Sequence, residues 1–200
     1  MDNNKTVFFI LGALQVILGL SMIFPIIVQI IYDELNGSFI SSGLIAIIIG
    51  ILFILSNLDQ NKKINLQQAF FLTSLSWISI ASFGCLPFIF SNLELTLTDA
   101  FFESMSGITT TGSTIIDDLN NAPKGILFWR AMLQWLGGIG IVVMAITLMP
   151  LMNIGGMQLF KIDSGNTSEK FLPKTKEIAL NIFTIYFFLT ILCAVSYLVA

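Results

Sequence analysis

Apolar residues along this chain gather into five long runs, at 7–32, 39–58, 67–91, 126–152 and 178–200, separated by polar connections. Each run is near or above the roughly 20 residues a helix needs to cross a hydrocarbon core. The pattern therefore predicts five membrane-spanning helices. The first run continues from Val7 to Tyr32, well past the apolar core of about 7–15 residues found in a secretory signal, and so predicts a retained helix.

Between the third and fourth runs lies a shorter pattern. Thr96 is followed three residues later by Asp99, as in a capping box, and Phe101, Phe102 and Met105 give an apolar face that ends near Gly107. A helix over about 97–107 extends only about 16 Å at a rise of roughly 1.5 Å per residue, half of a bilayer core. Two placements are open to it: a helix lying on the outer surface, or a re-entrant helix that dips into the membrane and returns as extended chain. Irregular backbone at membrane depth survives only where protein buries it or where it lines a water-filled cavity. The second placement therefore implies a pore or a binding site.

Composition agrees with a lipid solvent: 56% of the 200 residues are hydrophobic and 10% charged, where soluble domains carry about 25% charged residues. Histidine is absent and the two cysteines, Cys85 and Cys193, sit inside apolar runs, where a thiol behaves as a small hydrophobe. The usual zinc and haem ligands are thus missing, which leaves oxygen atoms as ion ligands and favours hard cations. No constellation of catalytic residues stands out, and nothing points to nucleic acid.

Charge then orients the chain. Seven of the nine basic residues fall in three places, Lys5, Lys62 with Lys63, and Lys161, Lys170, Lys174 and Lys176. With alternating helices all three share one side, and the positive-inside rule makes that side the cytoplasm. The N-terminus and the connections 59–66 and 153–176 are then cytoplasmic, and residues 92–125 lie outside. That outer segment holds Glu94, Asp99, Glu103, Asp117 and Asp118 against Lys124 alone, an acidic mouth that concentrates cations.

After the half-length helix come Thr109, Thr110, Thr111, Gly112 and Ser113, a β-branched run interrupted by one conformationally free residue. Potassium filters of the TVGYG kind use such backbone: successive carbonyl oxygens replace the ion's hydration shell, with glycine supplying the unusual dihedral angles. The preceding helix would direct its partially negative C-terminal end toward the ion. Alone, the string Thr-Thr-Gly is weak evidence. An outward helix, a half helix, a Thr-Gly segment and an inward helix, in that order, form a helix-pore-helix unit.

The residues Leu86-Pro87-Phe88, Thr98 to Ser104, Ser106-Gly107, Thr109 to Gly112, Leu133 to Gly140 and Gly155 to Leu159 together resemble the membrane subunits of Trk-type potassium uptake systems, the TrkH family within the Trk/Ktr/HKT superfamily, along essentially the whole chain. The resemblance implies a bacterial inner-membrane channel of four helix-pore-helix repeats in one polypeptide, paired as a homodimer and bound by a cytosolic nucleotide-binding regulatory subunit of the TrkA type. It implies a peripheral helix pair at 1–58, a first repeat at 67–152 with its pore helix at about 97–107 and filter at 109–113, and the opening helix of a second repeat at 177–200. Potassium would lie against Thr110 and Thr111, with Gly112, Thr109 and Ser113 as further filter backbone. The family's members continue through three more filter loops, so the chain is expected to be part of a longer product.

The expected fold is an all-α membrane protein, a polytopic helix bundle with one helix-pore-loop-helix repeat and a re-entrant half helix. The expected function is potassium uptake; a non-conducting membrane scaffold and a secondary cation transporter with a re-entrant loop are the alternatives. Several further residues have structural readings. Thr73, Ser76, Ser79 and Ser82 form a small polar stripe suited to helix packing, and Gly137, Gly138 and Gly140 suit close packing. Arg130 is expected to snorkel to the interface or to pair with a carboxylate such as Glu103 or Asp117, and Glu103 to hold the filter by hydrogen bonds rather than touch the ion. Trp77, Trp129 and Trp135 are expected as interfacial or packing aromatics.

Overall fold

The computed structural model describes residues 4–58, 66–152 and 168–199, and within them the chain is helical, with no strand. The helices are α1 (Lys5–Ser21), α2 (Ile23–Ile31), α3 (Ser38–Ser56), α4 (Leu66–Gly84), α5 (Leu86–Ile89), α6 (Leu97–Ile108), α7 (Lys124–Met152) and α8 (Ser168–Val199). Five segments are long and apolar enough to span a membrane: Lys5–Ile31, Ser38–Ser56, Gln67–Ile89, Lys124–Met144 and Glu177–Val199. They match the five apolar runs, and the all-α polytopic class follows. The connections expected at 59–66 and 153–176 fall largely outside the described residues, as do Lys62, Lys63 and Lys161. The helix expected from 177 begins nine residues earlier, at Ser168. Apolarity marks where lipid contact would end, whereas hydrogen bonding carries a helix on into a polar stretch.

Two of the apolar runs are broken by proline. Pro25 has no N–H to give the Ser21 carbonyl, and α1 passes into α2 at Met22, whose N–H reaches back only to the Gly19 carbonyl at 3.3 Å. Pro87 likewise interrupts the third run: α4 stops at Gly84, and the Phe88 N–H turns to the Cys85 carbonyl at 3.0 Å. That leaves the Gly84 carbonyl free for the Trp129 indole, which donates to it at 2.9 Å from α7. A buried carbonyl released by a proline break is thus satisfied by a buried indole.

The chain forms two compact units, Met1–Gly138 and Ile139–Ala200. In the second, α8 is exposed along most of its length beyond Glu177. In the first, α1 and α3 lie antiparallel and close. Gly12 faces Gly50 and Gly19 faces Gly43, each pair set seven residues apart along its helix. A Cβ on Gly12 would stand 2.6 Å from the Gly50 carbonyl oxygen, and one on Gly50 would stand 2.7 Å from that of Gly12. Membrane helices gain little from burying apolar surface against each other, so close backbone approach and dispersion hold such a pair. Gly50→Ala is expected to destabilise the whole protein by about 1–3 kcal/mol. Besides the Val16 Cγ2 methyl at 2.8 Å, the obstacles are backbone atoms, Gly12 O at 2.7 Å and Val16 N at 2.9 Å, which cannot swing aside. A lowered melting midpoint of the detergent-purified protein checks this, and an unchanged midpoint contradicts it.

Polar contacts tie this pair to the elements after it. Gln15 of α1 donates to the Ser79 hydroxyl of α4 at 2.6 Å, and Glu34, in the α2–α3 turn, accepts from the Lys124 N–H at 2.7 Å, capping the start of α7. The core beneath holds Trp129, Phe39, Phe88, Met22, Ile126 and Leu133, all fully buried. Phe39 meets Trp129 edge-on with ring centroids 6.0 Å apart.

Candidate ion-filter loop

The half-length helix is present and begins as its sequence indicates. Thr96 Oγ1 accepts from the Asp99 N–H at 3.2 Å, and the Asp99 carboxylate accepts from the Thr96 N–H at 3.2 Å, a reciprocal capping box. The helix has 12 residues and ends at Ile108, about 18 Å of rise and too short to cross a bilayer. Its inner face buries Ala100, Glu103, Ser104, Ser106 and Gly107. The C-terminal turn lies directly against α7: a Cβ on Gly107 would meet Leu133 Cβ at 3.1 Å, and one on Gly137 would run into the Ile108 carbonyl. The packing expected of the α7 glycines therefore holds at Gly137. At Gly140 nothing among the described residues lies within 4 Å of an added Cβ.

The end of α6 shapes the loop that follows. The Thr111 N–H bonds the Ser106 carbonyl at 3.0 Å and the Thr110 N–H bonds the Gly107 carbonyl at 2.9 Å. This is the Schellman pair of bonds, which places the residue after the C-cap in the left-handed region. Glycine normally occupies that position; here it is Thr110, with φ +59°. For a β-branched residue this is a genuine outlier, costing roughly 1–3 kcal/mol, and such strain persists where surrounding bonds over-determine it. Gly112 follows at φ +79°, while Thr109 has φ −80° and Thr111 is not among the positive-φ residues. The sign of φ thus alternates from 109 to 112. Residues 109 to 115 are exposed.

The candidate residues Thr109 to Ser113 therefore sit together in one exposed loop at the C-terminal end of α6. Thr109 Oγ1 bonds the Met105 carbonyl at 2.8 Å and lies 2.9 Å from Thr111 Oγ1. Behind the loop, Glu103 accepts from Thr114 Oγ1 at 3.1 Å and from the Ile115 N–H at 3.0 Å. Its other carboxylate oxygen pairs with Arg130 Nε of α7. Of the two partners open to Arg130, Glu103 is the one it takes, and Glu103 grips the strand leaving the loop as expected. One contact had no counterpart in the sequence reading: the Ser106 hydroxyl donates to the Ser113 carbonyl at 2.6 Å. Its only sequence signal was a serine placed one turn beyond Glu103 on the same helix face.

Farther out, hydrogen bonds from the Asn121 side chain, then from the Asn121 and Asn120 backbone, hold the Asp118 carboxyl below its ordinary range. Asp118 therefore stays ionised at neutral pH and keeps this turn negative. Trp129 proves to be a packing residue. Of the polar stripe on α4, Thr73, Ser76 and Ser82 bond carbonyls of their own helix, and Ser79 carries the contact to α1.

The family profile described as TrkH, cation transport protein, matches residues 36–200. The Trk system potassium uptake protein TrkH of Escherichia coli K12 is 39% identical over 191 residues, covering 94% of this chain and 40% of that protein. Its namesake from Vibrio parahaemolyticus is 36% identical over 200 residues, 98% of this chain and 41% of that one. The crystal structure of the potassium transporter TrkH from Vibrio parahaemolyticus superposes with a TM-score of 0.86 at 34% identity, covering 99% of this chain and 40% of that structure. The chain thus spans about 40% of the length of the relatives it matches.

Proposed function

The chain belongs to the TrkH cation transport family, and on that premise we propose that the whole protein carries potassium into the cell through a selectivity filter to which residues 109–113 contribute one strand. The observation that carries this reading is the paired left-handed backbone of Thr110 and Gly112 in an exposed loop at the end of a helix too short to cross. Thr110 and Thr111 are the first residues against the ion, and Gly112, Thr109 and Ser113 complete the strand. Potassium is the cargo, and its dehydration is offset by carbonyl dipoles, with no covalent step.

In this reading residues 1–58 form a peripheral helix pair and 67–152 the first of four helix-pore-helix repeats. The first helix of the next repeat occupies 177–200, with its polar extension back to Ser168 on the cytoplasmic side. The N-terminus is cytoplasmic and the loop faces outward in a bacterial inner membrane. The whole protein works as a homodimer, regulated by a TrkA-like nucleotide-binding subunit at its inner face.

The full-length gene product, expressed in bacteria stripped of their own potassium uptake systems, is expected to restore growth at low external potassium and to take up rubidium. A well-expressed protein that restores neither growth nor uptake is a scaffold and ends this reading. Uptake that requires exchange for another cation makes it a secondary transporter instead.

A further inference from the structure

Hydroxyl-bearing side chains inside helices ordinarily bond back to a carbonyl three or four residues earlier, as Thr73, Ser76 and Ser82 do in α4. Ser106 breaks that habit. Its hydroxyl reaches seven residues forward, to the Ser113 carbonyl at 2.6 Å, inside the normal range for O–H···O bonds. Its own carbonyl accepts the Thr111 N–H at 3.0 Å and lies 3.4 Å from the Gly112 nitrogen. One buried residue, 5% exposed, thus holds the loop on both sides of Gly112.

We propose that Ser106 is a positioning residue for the filter, its hydroxyl holding the Ser113 carbonyl toward α6 so that Ser113 anchors the strand rather than facing the ion. The proposal rests on the filter reading above. The grip has a consequence for the strand's conformation. The Ser113 carbonyl belongs to the 113–114 peptide, which turns by rotation about Ser113 and Thr114, both exposed, so a contact from outside the loop must decide which way it faces. Glu103 fixes the next two residues, through Thr114 Oγ1 and the Ile115 N–H, but does not touch the Ser113 carbonyl. The Ser106 hydroxyl is the contact that decides. Without it the carbonyl has two orientations of similar energy, one against the helix and one toward the path, and the cation preference of the outer end of the filter is averaged over both. The rest of the loop stays anchored through backbone bonds to Ser106 and through Glu103, so the change is local.

The test measures rubidium uptake by the full-length protein, and its inhibition by sodium, for Ser106→Ala and Ser106→Thr. The alanine variant is expected to fold, to keep its rubidium uptake within a small factor, and to become about fivefold more sensitive to sodium, the population shift that one neutral hydrogen bond controls. Threonine keeps the hydroxyl and is expected to restore the original sensitivity. Normal sodium sensitivity in a normally abundant alanine variant overturns the proposal. So does an equal defect in alanine and threonine, which would make the effect one of space rather than of the hydroxyl. If the alanine variant is not recovered folded, Ser106→Cys replaces it, filling the same space with a weak donor. Unchanged sodium sensitivity there overturns the proposal equally. Failure of the unaltered protein to transport rubidium at all counts against the filter reading itself and is thereby distinguishable.

Discussion

Gly112→Ser in the full-length protein is expected to lower the preference for potassium over sodium about tenfold while leaving the protein folded and abundant. The cause is conformational rather than steric. A Cβ built on Gly112 has room, its nearest neighbour being Gln134 Nε2 at 3.7 Å, but the backbone stands at φ +79°. In this left-handed region an L side chain costs roughly 1–2 kcal/mol, and each 1.4 kcal/mol corresponds to about tenfold in an equilibrium. The Gly112 N–H makes the longest of the loop's backbone bonds, 3.4 Å to the Ser106 carbonyl, so the strain is relieved most readily by rotating the peptides on either side of residue 112. Those peptides carry the carbonyls assigned to the ion, and their rotation disturbs coordination before it disturbs the fold. Rubidium and sodium flux in reconstituted vesicles measures the ratio, and an unaltered ratio would sink the assignment of Gly112. The neighbouring strain at Thr110 follows the same logic: the Schellman bonds from Gly107 and Ser106 impose φ +59° on a threonine, and a protein that accepts this cost at one residue has reason to keep that residue's side chain.

What could be read from the chain without its structure divides by the range of the forces involved. The five spans and the half-length α6 were legible because run length against bilayer thickness, and the Thr96–Asp99 cap, are local causes. The Arg130–Glu103 pair was legible as one option among a few, because few charges lie near these helix ends. The breaks at Met22 and Gly84 were missed although Pro25 and Pro87 mark them, since a run of apolar residues hides a change in hydrogen-bonding pattern. The Gly12–Gly50 and Gly19–Gly43 approaches show a spacing of seven in each helix, yet spacing names no partner, and only the fold brings them face to face. Ser106 was the least legible. Nothing local distinguishes a serine that bonds back into its helix from one that reaches forward to a loop, because the choice depends on where the loop returns. The early start of α8 was missed for a different reason, that polarity and helicity end at different places.

The second large effect lies behind the proposed filter loop. Arg130→Met is expected to destabilise the protein by about 3–5 kcal/mol, the range seen when one member of a buried ion pair is removed. Glu103→Met should cost less. The asymmetry follows from burial: the Glu103 side chain is 0% exposed, whereas that of Arg130 is 15% exposed. An abandoned carboxylate has no route to water, while an abandoned guanidinium can extend toward the surface. Removing both members leaves no buried charge, so the double variant is expected to recover most of the lost stability. The Thr114 hydroxyl and Ile115 N–H, both on exposed residues, then find water in place of the carboxylate. Recovery of stability should not bring recovery of selectivity. With Glu103 gone, the strand leaving the filter loses the acceptor that holds Thr114 and Ile115 at 3.1 and 3.0 Å. The double variant should therefore melt near the unaltered protein yet admit sodium more freely. Melting midpoints of detergent-purified protein, with rubidium and sodium flux on the same preparations, separate the two roles. Additive losses in the double variant, or a stable Arg130→Met protein, would show that the pair neither stabilises the fold nor links α7 to the filter.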